Sequence, residues 1–344
     1  MVIREKDKTI LKLIAENYLR IGKPISSGCI VQKTNISVSP ATVRNIMAKL
    51  EKLGYLNQPH TSAGRVPTDK GLRFYVNSLF EEAVLPKGQL ELLSEHFSLK
   101  KGDLSSLLTQ VSKILAEHSD NLGFVLSPRI SRVNFQHIRF IKVSEEKAMI
   151  ILITTFNLVL TEIVETNEYF TQVELDSASQ YINQGFKGKN LYFVRNYLLK
   201  ELPTFKLKYE SIISKLISLV KAYIYQEEQE SEIFLQGTSK LLEKSELFDM
   251  DRLKSLFQKF EEKAKLARLL SDFISLDRVK VLIGSELDIP DISDCALILS
   301  HYGYDNQILG SLGIIGPKRI PYKKIIPLVD YVAKKLNKTI SHNQ

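Results

Sequence analysis

The sequence predicts an α+β chain in which a small basic helical head precedes a larger, electrically neutral body of strands and helices. Three observations lead there. The excess positive charge lies in the first quarter of the chain, that quarter shows three helical patterns followed by a glycine-containing hairpin, and strand-like runs then stand on both sides of a helical block.

The charge distribution can be counted. Among 344 residues there are 47 Lys and Arg against 39 Asp and Glu, and residues 1–80 hold 13 and 5 of these, a net of +8. The other 264 residues hold 34 of each sign. A basic segment on a neutral body is the electrostatic footprint of a nucleic-acid-binding head on a regulatory or oligomerising frame. A solvated basic face without a partner has the same composition, so motifs must decide.

Length and composition exclude several other classes. At ~150 residues per domain the length suggests two or three domains, and 44% hydrophobic with 25% charged residues is ordinary for a globular chain. The longest apolar run, Ala148–Ile153, is far short of the ~20 residues of a membrane-spanning helix. MVIREKDKTI carries charges where a signal peptide has its apolar stretch, so a cytoplasmic protein without a membrane partner is expected. Cys29 and Cys295 stand far apart, which is neither a disulfide framework nor a metal spacing.

The head reads element by element. From Asp7 to Arg20, Ile10, Leu11, Leu13, Ile14 and Tyr18 recur at helical spacing, and Gly22 followed by Pro24 supplies the stop. Ser26 or Ser27 caps a short second helix that reaches about Lys33. Thr34 to Val38 form a turn before Ser39-Pro40, a hydroxyl cap followed by proline at the first helical position. The third helix runs to about Leu53, and Gly54 ends it.

At ~100° per residue Val43, Met47 and Leu50 gather on one side of this helix, flanked by Ile46 and Leu53. Ala41, Arg44, Asn45, Ala48 and Lys52 gather on the other. That outer face combines small residues that permit close approach with Arg and Asn, the side chains shaped for bidentate contacts to guanine and adenine edges. Its first turn, Ser39-Pro40-Ala41-Thr42, presents a helix N-terminus to a phosphate, Lys49 and Lys52 add charge, and Ser27 is a further candidate contact from the second helix. The order of elements is that of a helix-turn-helix, whose second helix enters the major groove.

Tyr55–Pro67 follows. Two short extended runs flank Thr61-Ser62-Ala63-Gly64, which reads as a β-hairpin wing with Gly64 as its turn residue. His60, Thr61, Ser62 and Arg65 sit at or beside the tip, placed to touch the backbone or minor groove. The expected partner is double-stranded DNA, since no aromatic-rich sheet motif for stacking single RNA bases occurs here.

In the body, Thr68 or Asp69 starts a connecting helix to about Glu82, with Leu72, Tyr75, Val76 and Leu79 along one side, and Pro86-Lys87-Gly88 breaks it. Asp103 caps a helix carrying Leu104, Leu107, Leu108, Val111, Ile114 and Leu115. Strand-like runs follow at 124–126, 135–143, 149–154 and 158–164. Asp176 then opens a helical run, and Tyr209–Tyr225 bears a wide apolar stripe of Ile212, Ile213, Leu216, Ile217, Val220 and Ile224. Such a stripe requires a partner, in its own domain or across a two-fold axis. After a helix at Arg252–Phe273, strands resume at 279–283, 296–299 and 310–315, and Tyr322–Leu336 closes the chain as a helix. Strands before and after a helical block suggest one α+β domain interrupted by an insertion.

Motifs for catalysis do not accompany this pattern. The six histidines show no His-x-x-x-His pairing, and no Walker loop, GxGxxG or GxSxG occurs, so no enzyme activity, catalytic residue, metal or cofactor is expected. Gly310, Gly313 and Gly316 read as turn and strand-edge glycines, and His137, in an apolar strand, reads as a buried core residue.

Several blocks together resemble one bacterial family, the heat-inducible transcription repressors HrcA. They are Ser-Pro-Ala-Thr-Val-Arg-Asn (39–45), Leu-Glu-Lys-Leu-Gly-Tyr-Leu (50–56), Gln-Pro-His-Thr-Ser-Ala-Gly-Arg-Val-Pro-Thr-Asp-Lys-Gly (58–71), Gly-Thr-Ser-Lys-Leu-Leu (237–242) and Leu-Gly-Ser-Leu-Gly-Ile-Ile-Gly-Pro-Lys-Arg (309–319). The resemblance implies a winged helix at 1–85, a GAF-like domain at 103–164 and 231–340, and an inserted dimerisation domain at 165–230. It further implies a homodimer that represses chaperone operons from an inverted-repeat operator (CIRCE), loses activity on heat stress, and is kept active by the chaperonin GroEL. Ile213, Leu216, Ile217, Val220 and Ile224 then become candidate dimer contacts. A different reading makes the GAF-like domain the receptor for a small molecule in a ligand-responsive regulator.

Overall fold

A computed structural model describes residues 3–33, 38–60, 63–80, 88, 93, 104–128, 134–154, 159–165, 169–189, 193–194, 197, 233–247, 279–287, 292–304 and 307–342. The chain opens with α1 (Glu5–Ile21), α2 (Ser27–Lys33), α3 (Pro40–Lys52), β1 (Leu56–Asn57), β2 (Val66–Pro67) and α4 (Asp69–Leu79). Ile10, Leu11, Ile14, Ile25, Ile30, Val43, Met47, Leu50 and Leu56 bury one another between these helices. The stops and starts are local chemistry. Gly22, at φ +75°, ends α1, Ser39 Oγ accepts the Thr42 N–H at 3.2 Å to start α3, and Thr68 caps α4 through the Gly71 N–H at 3.2 Å. For α2 the capping hydroxyl is Ser26, which accepts from the Cys29 N–H at 3.2 Å, and Ser27 is the first helical residue.

The body continues with α5 (Leu104–Ser119), β3 (Leu122–Leu126), β4 (Phe135–Lys142), β5 (Lys147–Thr154), β6 (Val159–Glu165), α6 (Gln172–Phe186), β7 (Ile233–Gln236), α7 (Thr238–Leu242), β8 (Lys280–Ile283), β9 (Cys295–Tyr304), β10 (Gln307–Pro317) and α8 (Tyr322–His342). Five of these strands form an antiparallel sheet in the order β7-β3-β10-β9-β8. One face packs on α5 and α8 through Val125, Ile298, Leu312 and Ile314. The other carries Leu122, Phe124, Leu297, Leu299 and Ile315 beneath Leu241, Leu287 and Ile292. A sheet covered on both faces has continuously apolar central strands, and β3 is buried at every position.

Strands β4, β5 and β6, which the sequence reading groups with residues 103–164, make an antiparallel sheet of their own. Helix α6 covers one face of it and also closes its outer edge. Asn183 accepts from the Ile138 N–H at 2.8 Å and donates to the Ile138 carbonyl at 2.9 Å, Ser179 accepts from the Phe140 N–H at 3.0 Å, and Gln172 takes the Lys142 N–H at 2.8 Å while donating to the Phe140 carbonyl at 3.0 Å. Side chains thus satisfy the backbone of an edge strand that would otherwise be open to pairing.

The structure corrects three local expectations and adds one strand. His137 is exposed, because strand alternation turns Ile138 and Phe140 toward the core and His137 with Arg139 away from it. Gly310, Gly313 and Gly316 lie inside the central strand β10; a Cβ at Gly313 would stand 2.1 Å from the Ile298 carbonyl oxygen, so close approach rather than a turn excludes a side chain. Helix α6 starts at the Thr171 cap, where Glu174 completes a capping box, and Asp176 is interior to it. Strand β7 was not anticipated at all: Ile-Phe-Leu-Gln is too short for a period to register. The helices expected at 209–225 and 252–273, with Ile213, Leu216, Ile217, Val220 and Ile224, lie outside the described residues.

Candidate nucleic-acid interface

Helix α3 has two unlike sides. Val43, Met47 and Leu50 are buried against α1 and α2, whereas Ala41, Thr42, Arg44, Asn45 and Lys52 are exposed. Neither Arg44 nor Lys52 has a carboxylate at ion-pair distance among the described residues. The first turn is fixed by Ser39, whose Oγ also shares a hydrogen with Thr42 Oγ1 at 2.9 Å, and Ser39 and Pro40 are exposed beside it.

After α3 the chain forms a minimal antiparallel pair, Leu56 opposite Pro67 and Asn57 opposite Val66. Ile25 extends it, exchanging backbone hydrogen bonds with Arg65 at 2.9 and 2.8 Å. Gly64 is not the turn of this hairpin. A Cβ there would stand 2.4 Å from the Ile25 carbonyl, so glycine lets the hairpin lie against the segment between α1 and α2. The Ala63 N–H donates to the His60 carbonyl at 2.8 Å; His60 is exposed, and Thr61 and Ser62 lie outside the described residues. Ser27 is half-buried at the start of α2.

Two of the predicted cations are already engaged. Lys49 Nζ lies 2.5 Å from Asp7 of α1, whose side chain is only 6% exposed, and Arg65 Nε donates to Glu51 Oε2 at 2.9 Å. Burial alone would raise the Asp7 carboxyl. Hydrogen bonds from Lys49 and from the Arg4 backbone N–H, with the charges of both cations, outweigh it and hold Asp7 below the ordinary 3.8. These two carboxylates escaped the sequence reading because Asp7 is 42 residues from its partner and Glu51 is 14 from its own, with no periodic signal to join them. Arg44, Asn45, Ala41 and Lys52 therefore share one open surface, while Lys49 and Arg65 tie α1 and the hairpin to α3.

The family model described as "HrcA protein C terminal domain" matches residues 105–326. The heat-inducible transcription repressor HrcA of Geobacter sulfurreducens is 35% identical over 338 residues, 98% of each chain. The protein of the same name from Syntrophobacter fumaroxidans is 32% identical over 339 residues, 98% of this chain and 97% of that one. A crystal structure at 2.2 Å described as that of a hypothetical protein shares the fold, with a TM-score of 0.66 at 24% identity and both chains covered in full. Relatives that span nearly the whole length, together with a family model that covers most of the body, establish that the chain belongs to the HrcA family of heat-inducible transcription repressors.

Proposed function

We propose that residues 3–80 form a winged helix-turn-helix that places α3 in the major groove of double-stranded DNA, one head of a homodimer on an inverted-repeat operator. The observation that supports this most is the exposed face of α3, where Arg44 and Asn45 stand beside Ala41 and opposite the buried Val43, Met47 and Leu50. Arg44 and Asn45 read base edges. Ser39, Pro40, Ala41, Thr42 and Lys52, with Ser27 from α2, meet the phosphates, and His60, Thr61 and Ser62 carry the wing tip to the adjacent backbone or minor groove. Gly64 seats the wing. Lys49 and Arg65 hold the head together and reach DNA only by exchanging a carboxylate for a phosphate.

The five-stranded antiparallel sheet, clad on one face by α5 and α8, supports a GAF-like reading of the body. On that reading the insertion occupies the chain between β3 and β7, so it begins near residue 127 and includes the β4–β6 sheet. Dimerisation through the insertion, with Ile213, Leu216, Ile217, Val220 and Ile224 as contacts, pairs two heads and raises their effective concentration on a palindrome. Occupied promoters are repressed, heat lowers the fraction of folded and correctly spaced dimer, and GroEL acts in the cytoplasm to restore it.

Arg44→Ala tests the central assignment. In competition gel shifts it should weaken binding to the CIRCE repeat by about 1–3 kcal/mol and leave random-sequence binding nearly unchanged. A specificity ratio equal to that of wild type removes Arg44 as a base reader.

A further inference from the structure

The helix that leaves the basic head does not pass through a flexible linker. Phe74 of α4 packs edge-on against Tyr55 of the head, with ring centroids 6.1 Å apart, while Leu72, Tyr75, Val76 and Leu79 enter the core of the body. One helix is thus built into both units.

Two charged pairs then bind α4 to separate parts of the body. Arg73 donates from Nε to Glu286 Oε1 at 2.7 Å, and from Nη2 to Glu286 Oε2 and to the Val281 carbonyl, the latter at 2.5 Å. Asp69 accepts from Lys318 Nζ and from the Ser285 N–H, each at 3.0 Å. Glu286 is held in turn by the Ile283 N–H at 2.9 Å. Arg319 adds a contact to the head, its guanidinium lying 2.0 Å from where a Cβ on Gly22, at the end of α1, would stand. The four charged side chains are between 25% and 32% exposed, so their attractions are less screened than those of free surface pairs.

Apolar packing is non-directional and permits a helix to roll, whereas a bidentate guanidinium–carboxylate fork fixes an angle. We infer that Arg73–Glu286 and Asp69–Lys318 are a latch that sets the orientation of the head on the body, and that these four are positioning residues for the half-site spacing the protein accepts. This rests on the proposed dimeric operator binding. None of the four lies on the exposed face of α3 or on the hairpin. Their effect is on geometry: inserting five base pairs between half-sites turns one of them about half a helical turn and moves it ~17 Å, which a fixed head cannot follow.

The test uses the full chain, as wild type, as Arg73→Gln with Lys318→Gln, and as Lys318→Gln alone. Gel shifts are run on duplexes carrying the CIRCE repeat with its native spacer, the same repeat with two or five added base pairs, and one half-site. Wild type should lose about 100-fold in affinity on the five-pair insertion. The double variant should bind the native spacer about tenfold more weakly and the inserted duplexes within about threefold of that, with half-site affinity unchanged. If the double variant fails to fold, as judged by its thermal transition, the single variant should show the same broadening at smaller size. A variant with the wild-type spacing profile overturns the latch. A wild type that binds one half-site as tightly as the repeat overturns the dimeric reading itself, and the latch with it.

Discussion

Replacing Asp7 by Asn tests how the recognition helix is held in place. The Asp7 carboxylate receives Lys49 Nζ at 2.5 Å and the Arg4 N–H at 3.2 Å, and the residue is 4% exposed. Asn keeps an acceptor for the Arg4 N–H and loses the charged bond to Lys49. Because the Lys49 side chain is 26% exposed, it can turn to water and is not stranded as a buried charge, a case that costs about 3–5 kcal/mol. The expected loss is therefore that of one charge-assisted hydrogen bond, about 1.5–3 kcal/mol at neutral pH. For a unit the size of the head this lowers the thermal midpoint by about 6 °C or more. The sign of the pH dependence follows from the direction of the shift. Asp7 sits below its ordinary 3.8 when folded, so its contribution is complete above that value and disappears as pH falls through the folded pKa. Thermal unfolding of wild type and variant should differ at neutral pH and converge in acid. Freed Lys49 should also steepen the dependence of log affinity for DNA on log salt by about 0.9, one phosphate contact. Equal midpoints at neutral pH, or a difference that persists undiminished in acid, would refute the reasoning.

Two other outcomes follow from single side chains. Asn183→Ala removes both hydrogen bonds to Ile138 and uncovers part of the β4 edge, which should cost about 1–3 kcal/mol in urea titrations and increase light scattering on warming; an unchanged urea midpoint would show that water replaces the amide without loss. Of the two free cysteines, Cys295 is buried in the central sheet, and burial, aided by Asp294, pushes its thiol up to about 12. A thiol reagent at neutral pH should modify Cys29 in the native protein and Cys295 only after unfolding, and native labelling of Cys295 would contradict its placement.

Legibility in the sequence tracked the range of the interaction. Ser39-Pro40 and the apolar triad Val43, Met47 and Leu50 located α3 to within a residue, because capping and helical period act over one or two turns. Four strands of the five-stranded sheet, β3, β8, β9 and β10, were visible as apolar runs, since burial on both faces leaves no polar alternation to confuse them with surface. His137 misled for the complementary reason: its strand is apolar on average, and only pairing to β5 and cover by α6 decide which alternate residues face outward.

The sequence by itself determined the basic head, its three helices and hairpin, the outward face with Arg44 and Asn45, and the α+β character of the body. Each is written in periods, caps and turn residues that act between near neighbours. Only the tertiary structure decided that β4–β6 leave the main sheet, that Lys49 and Arg65 meet Asp7 and Glu51, and that Arg73 closes on Glu286 across 213 residues of chain. Ion pairs and sheet membership are choices among many chemically equivalent partners, and they are settled by which groups the folded core brings within a few ångströms.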